Sequence, residues 1–450
     1  MEELTELIPE LRKLESQFHN ALMNSVRIPS VIQENEGQYP FGAQIDLALK
    51  NILELCEHLG FKTYYDPKGY YGYAEIGEGE EMIGVLGHLD VVPAGKLDEW
   101  RTPPFEPVIQ DEKIYGRGTQ DDKGPTIASI FAVKALMNLG IPFHKRVRLI
   151  FGTDEETLWR CMNRYCELEE IPSMGFTPDS TFPLVYAEKG LLQLHLEGKN
   201  DTSLRLTAGN AFNAVPDHAS YRGENRAELK AALKELDFAY EADSETVTVN
   251  GKSVHAQVTE KGINAINRLL IALKSIGYTS KTIEFVSEVV NEDPFGKRIF
   301  GECEDEESGK LKFNVGKIEM NEEIERLSID IRIPVKSDKE EIVHLLSEKA
   351  REYGLEYKEF DYLRSIYIPK DHFLIETLMN EYQEVTKDTV SQPISSGGAT
   401  YARAMNNTVA FGAVFPHQSK TEHQPNEYIE LEAIFTAMII YAKAIYRLTR

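Results

Sequence analysis

Apolar and polar positions follow two textures along the chain. From residue 1 to about 186, and again from about 367 to the end, short apolar runs alternate with longer amphipathic ones. Met82–Leu86 is an apolar run closed by Gly87-His88, and Arg146–Phe151 and Thr408–Phe415 are similar; each predicts a buried strand. Pro125–Leu139 is longer and mostly apolar. Proline in its first turn and Gly140 beyond its end predict a helix. At the N-terminus Leu4, Leu7, Leu11 and Leu14 recur at helical spacing. Strands alternating with helices predict an α/β layer on an open, largely parallel sheet.

Residues 187–366 read differently. Leu191–Leu196 and Leu327–Pro334 alternate with period two. Thr246–Val249 leads into Asn250-Gly251, a type I′ hairpin signal. Ile263–Ile276 and Lys339–Tyr353 read as amphipathic helices, and residues 301–310 as an exposed acidic loop. Antiparallel strands with helices on one face predict an inserted α+β domain. The chain thus divides into 1–186 and 367–450, two parts of one domain, and 187–366, the insert.

Composition narrows the partners. Forty-nine basic against 73 acidic residues give a net charge of −24, with no basic stripe. That argues against nucleic acid and against anionic membranes. No apolar run of about twenty residues predicts a membrane span. The acidic N-terminus lacks the basic start and unbroken apolar run of a signal peptide. Four cysteines in 450 residues fit a reducing compartment, so a cytoplasmic location is expected. Cys161 and Cys166 have no second pair to complete a zinc knuckle and read as ordinary thiols.

The chemistry gathers at predicted strand ends, where open α/β sheets bind ligands. His88 offers an imidazole to a metal, and Asp90 can accept its other ring N–H. Asp121-Asp122 follow a glycine-rich loop. Acids there suit a cation, whereas a phosphate cradle would exclude them. Asp154-Glu155-Glu156 end another strand, and three adjacent acids repel unless a cation offsets them. Asp179 and His423 lie near two further strand ends. Each segment alone could be a cap, a surface pair or a solvated charge run. Five of them in one α/β texture fit chance poorly.

The strings GHLDVVPAG (87–95), GRGTQDDKGP (116–125), FGTDEET (151–157), FTPDSTFP (176–183), GKSVHA (251–256), SSGGATYARA (395–404) and TEHQPNEYI (421–429) span nearly the whole chain. In this order they resemble the co-catalytic metallopeptidases of the aminoacylase, carboxypeptidase G and carnosinase superfamily, nearest the dipeptidase V (PepV-like) subgroup. The resemblance implies two divalent ions per subunit, zinc first and manganese second, both compatible with imidazole and carboxylate ligands. It implies His88, Asp121, Glu156, Asp179 and His423 as metal ligands, with Asp121 shared between the ions. Asp90 orients His88, and Glu155 is the general base acting on a water shared by the metals. His417, six residues before His423, is expected outside the ligand set.

It further implies that the insert is a duplicated ferredoxin-like lid. From the lid, His255 stabilises the oxyanion, and Arg332 and Asn213 hold the substrate with Ser396 and Gly397. Read without the resemblance, His255 is a surface turn residue and Arg332 half of a salt bridge. A lid this long implies a monomer. Aspartate at position 179 accompanies substrates with a free amino group, which implies a dipeptidase of small peptides. The alternative on the same fold is an N-acyl amino acid deacylase.

Overall fold

The computed structural model describes residues 4–34 and 38–450. They form two compact units. The first holds the residues up to Tyr186 with Ile368–Ile394 and Thr400–Arg450; the second holds Ala187–Tyr367 with Ser395–Ala399.

At the centre of the first unit lie four parallel strands in the order Arg146–Gly152, Met82–His88, Met174–Thr177, Thr408–Ala410. Every residue of Met82–His88 is buried, which is why it reads as an unbroken apolar run rather than an alternating one. Antiparallel strands flank these four. Lys62–Tyr65 and Tyr71–Ile76 extend one edge as an antiparallel hairpin, and Val185–Glu188 adds antiparallel to the other. Thr408–Phe415, expected as one strand, divides into Thr408–Ala410 and Ala413–Val414. Between them Gly412 turns at φ +87° beneath Phe182, where a side chain would lie 2.5 Å from the ring.

The helix Lys123–Asn138 is apolar nearly all round because it is enclosed, packing on the helices Leu7–Val26 and Leu431–Leu448. Leu7, Leu11 and Leu14 face the core from Leu7–Val26, while Leu4 precedes that helix and is half-buried. Lys123 is buried at the helix start and donates to Ser25 O and Ile28 O at 2.9 and 2.8 Å. Both carbonyls, at and just beyond the end of Leu7–Val26, also accept main-chain N–H groups, from Ile28 and Ser30. Burial presses the Lys123 pKa down to about 7.

In the second unit five antiparallel strands run in the order Leu206–Ala208, Lys312–Met320, Ile324–Ile333, Gly190–Lys199, Glu356–Leu363. With the helices Ala265–Ser275 and Lys339–Glu352, the last four strands make one complete βαββαβ ferredoxin-like pattern. A second, partial copy consists of His218–Tyr221, the helix Arg226–Glu235, Tyr240–Ala242 and Val247–Asn250. It has the same central pairing and lacks the fourth strand. Leu192, Leu194 and Leu196 face the core with Ile266, Leu269, Leu270 and Leu346, while Gln193, His195 and Glu197 face outward.

Two local expectations change. Asn250-Gly251 does not close a two-residue hairpin: Val247–Asn250 pairs with earlier strands, and the chain continues to a bridge between Lys252 and Ile263. Gly251 serves close approach instead, since a side chain there would fall 2.2 Å from Ile263 O. The acidic loop forms a small hairpin, Glu304–Asp305 with Gly309–Lys310, tied by N–H groups of Glu307, Ser308 and Lys336 donating to Asp305.

Gly87 sets how closely the enclosed helix approaches the strand just ahead of His88. A Cβ there would lie 1.9 Å from Thr126 Oγ1. Gly87→Ala is expected to destabilise the fold by about 1–3 kcal/mol, the usual range for overpacking. Chemical denaturation measures this, and the Thr126→Ala background should recover part of the loss.

Candidate metal centre

Sheet register brings the predicted chemistry together. His88 ends its strand opposite Gly152, three residues before Glu155. Met174–Thr177 lies on the other side of the same strand and delivers Asp179 two residues beyond its end. Asp121 comes from the loop before the enclosed helix, and His423 from the loop before the strand Tyr428–Glu430.

Asp121 is central. Its Oδ1 lies 2.9 Å from His88 Nε2 and its Oδ2 3.0 Å from His423 Nε2. Glu156 Oε1 stands 3.1 Å from His423 Nε2, and Asp179 Oδ2 stands 3.8 Å from His88 Nε2. Two groups of donor atoms fall within 4.8 Å of one another, His88 with Glu155 and Asp179, and His88 with Asp121 and Glu156. His88 is buried, while His423 is half-exposed.

His88 meets Asp90 through a different atom from the one expected. Nδ1 lies 2.9 Å from the Asp90 main-chain carbonyl and 3.6 Å from its carboxylate. The carboxylate instead accepts from Glu156 N at 3.0 Å, and its other oxygen is buried without a hydrogen-bond partner. Behind His88, Tyr401 meets the imidazole edge-on with ring centres 6.1 Å apart.

The cluster is short of positive charge. Burial, with the charge of Asp179, holds Glu155 well above the usual carboxylate range. Burial and Asp121 do the same to Asp179. Burial also pushes Asp121 up, but hydrogen bonds from His423 and His88 outweigh it and hold Asp121 far below that range. His423 is carried the other way: against burial, its bonds to Asp121 and Glu156 raise it to about 11. Half-buried acids that cannot all ionise together, facing imidazole nitrogens and one unpartnered carboxylate oxygen, are a donor set suited to divalent cations.

The sequence profile of the peptidase family M20/M25/M40 matches residues 84–447. The chain is 36% identical to "Putative dipeptidase YtjP" of Bacillus subtilis, covering 94% of this chain and 96% of that protein. This protein belongs to the M20 peptidase family. It is also 34% identical to "Putative dipeptidase SH1171" of Staphylococcus haemolyticus, over 98% of each chain. In fold it is similar to the di-peptidase Dug1p of Saccharomyces cerevisiae, with TM-score 0.63, 15% identity and coverage of 100% of this chain and 99% of that one. Human carnosine dipeptidase 1 is similar at TM-score 0.60, 15% identity and 99% coverage of both chains.

The remaining candidates of this M20 metallopeptidase lie in the second unit, where they form one connected patch. Arg332 is buried. Its Nε and Nη2 donate to Asp330 at 2.7 and 3.1 Å, and Nη1 donates to Gly397 O at 2.7 Å. Ser396 Oγ accepts from Gly398 N at 2.9 Å. Gly397 lies so close to Gln257 that a side chain would meet its Cβ at 2.8 Å. His255 caps the turn that contains Gln257, its Nδ1 accepting from Gln257 N at 3.3 Å. Asn213 O accepts from Ala256 N at 2.8 Å.

Some residues serve the M20 centre in ways their sequence did not announce. Asp154, first of the three adjacent acids, turns away to a two-point ion pair with Arg160. Asp122 accepts from His88 N and Thr126 Oγ1, and burial raises it to about 7. Glu427 is buried against Arg117 at 2.7 Å. Its only sequence signal was a place in the TEHQPNEYI string. His417 is exposed against Phe415. Cys161 contacts Tyr401 and Cys166 the carbonyl of Ala404, and neither is in a disulfide.

The raised carboxyls fix a pH dependence for the metal-free protein. Glu155, Asp179 and Asp122 are held protonated more readily in the fold than in the open chain. Their stabilisation is complete below the ordinary carboxylate pKa of about 4 and is lost as pH rises through the elevated values. Chelated protein is therefore expected to melt at lower temperature at about pH 7 than at about pH 5, and added zinc or manganese to reverse the loss. Asp179→Asn should flatten the dependence. A melting temperature that rises over this interval would contradict the charge assignment.

Proposed function

We propose that this M20 metallopeptidase is a dipeptidase that holds two divalent cations, zinc or manganese, and cleaves small peptides with a free N-terminus. The observation that carries the reading is Asp121, which presents one oxygen to His88 and the other to His423. A carboxylate so placed suits a bridge between two ions, with His88 and Asp179 beside one and His423 and Glu156 beside the other. When bound, such a pair polarises the scissile carbonyl and lowers the pKa of water toward neutrality.

The chain's own residues supply the rest. Glu155 accepts the proton of the attacking water on its carboxylate and delivers it to the leaving amine nitrogen. Its elevated proton affinity suits that role. The bond from Gln257 N to His255 Nδ1 leaves the ring proton on Nε2, a donor for the developing oxyanion. Asp330 takes the Nε/Nη2 edge of Arg332 and Gly397 O takes one Nη1 proton, which leaves one N–H on each of Nη1 and Nη2 for a substrate carboxylate. Asn213 and the Ser396–Gly397 turn add polar contacts. Aspartate rather than glutamate at 179 favours a free amino group over an acylated one. We read the second unit as a lid within a monomeric, cytoplasmic enzyme. One full and one partial ferredoxin-like copy in a single chain support this, and no helix among the described residues is long and apolar enough to cross a membrane.

The test is metal content together with hydrolysis of a dipeptide panel, with and without chelator. Two equivalents of metal, chelator-sensitive cleavage and no cleavage of acetylated dipeptides are expected. Glu155→Gln should keep both metals and lose about 10²–10⁴-fold in kcat, the usual worth of a general base. Faster hydrolysis of acetyl amino acids than of dipeptides would establish the deacylase instead.

A further inference from the structure

Two loops meet at the outer half of the metal centre, and each sends one side chain into the other's backbone. Glu427, fully buried, gathers the loop that carries Asp121. Its Oε2 accepts from Arg117 Nη1 at 2.7 Å and Gly118 N at 2.9 Å. Its Oε1 accepts from Gln120 N at 2.8 Å and Asp121 N at 3.1 Å. In return Gln120 reaches into the loop that carries His423. Its Oε1 accepts from Thr421 N at 2.6 Å and Glu422 N at 3.1 Å. Its Nε2 donates to Ser419 O at 3.3 Å and Tyr428 O at 3.4 Å. Gly116 N closes the ring on Glu427 O at 2.9 Å.

Neither loop has regular structure of its own at this point. His423 sits at φ +62° and Asn426 at φ +63°, in the left-handed region that side chain-bearing residues enter uncommonly, asparagine and histidine most readily among them. The N–H groups of residues 118, 120 and 121 converge on a single carboxylate, so a shift of that carboxylate moves the Asp121 backbone directly.

We propose that Glu427 and Gln120 are paired positioning residues that set the separation of Asp121 and His423 and so tune the outer cation's site, with a smaller effect on the inner site, which shares Asp121 but has His88 and Asp179 outside this lock. Glu427 fixes the Asp121 loop, Gln120 fixes the His423 loop, and each depends on the other for its own partners. The inference rests on the two-cation reading. It adds that the two sites differ in their support. The inner ligands stand at ends of paired strands, whereas the outer histidine is half-exposed on a loop held by side chains.

Calorimetric titration of the metal-free full chain with zinc or manganese tests this without reference to turnover. The unsubstituted protein should bind two ions in separable steps. Glu427→Gln turns one acceptor into a donor facing backbone N–H groups, and Gln120→Ala removes the reciprocal bonds. Each is expected to weaken one step by about 10–100-fold, the usual effect of losing a group that orients metal ligands. The other step should hold within a few-fold. The double variant should lose little more than either single one, because both serve one lock. Glu427→Asp, which keeps an acceptor, should recover part of the affinity. His423→Ala identifies the weakened step as the outer one. Thermal melting accompanies each variant; should Glu427→Gln fail to fold, Gln120→Ala carries the test alone. Equal weakening of both steps, or no weakening, would overturn the proposal. Absence of a second step in the unsubstituted protein would overturn the two-cation reading instead.

Discussion

A single carboxylate, Asp121, presents one oxygen to each of two imidazoles about equally far away, and the architecture around it serves that placement. The inner imidazole is fixed by a strand buried on every side, by the carbonyl of Asp90 and by the ring of Tyr401. Asp121 itself is fixed from behind, where Asp122 accepts from His88 N and Thr126 while Lys123 is fastened to the end of the first helix. Three consecutive residues thus point to three different anchors, and the loop cannot rotate without breaking all of them.

The cost of this arrangement is electrostatic. Like charges brought together in a dry site raise one another's proton affinity, and Glu155 and Asp179 carry that burden. The fold contains it by separating acids that the sequence places side by side. Asp154 is neutralised by Arg160, Glu155 stays half-buried near His88, and Glu156 turns to His423. One strand end therefore yields an ion-paired anchor, a candidate base and a candidate ligand. Their side chains diverge because the chain leaves the strand through a turn rather than continuing with period two.

What the sequence made legible was whatever depends on periodicity or local chemistry. Met82–His88, Arg146–Gly152 and the enclosed helix lie within two residues of their expected bounds, because burial on all faces imprints an apolar run. The alternating strands of the insert were equally plain. Less legible was anything decided by a distant neighbour. Gly412 splits the late strand because Phe182 lies beneath it, and Gly251 approaches Ile263 instead of closing a hairpin. The antiparallel edges of the main sheet depend on which strands meet, which no local pattern encodes. Glu427 and Arg117 show no period and no unusual spacing, yet they form a buried pair across 310 positions of sequence.

The two units divide the chemistry by sign. The candidates of the first unit are mostly acceptors, five carboxylates of which Asp90 is buried and the others half-buried, and two imidazoles, and they favour cations. Those of the second are mostly donors: the guanidinium of Arg332, the Nε2–H of His255 and the small-residue turn at Ser396–Gly397. In the dipeptidase we propose, a peptide with both ends free carries one group suited to each set. Its ammonium is welcome near an excess of carboxylates that would repel its carboxylate, and its carboxylate needs donors that the acidic centre lacks. An acetylated amino acid would bring only the carboxylate and forgo the first attraction. For the dipeptidase we propose, each set taken by itself favours one of the two charged ends of an unblocked peptide.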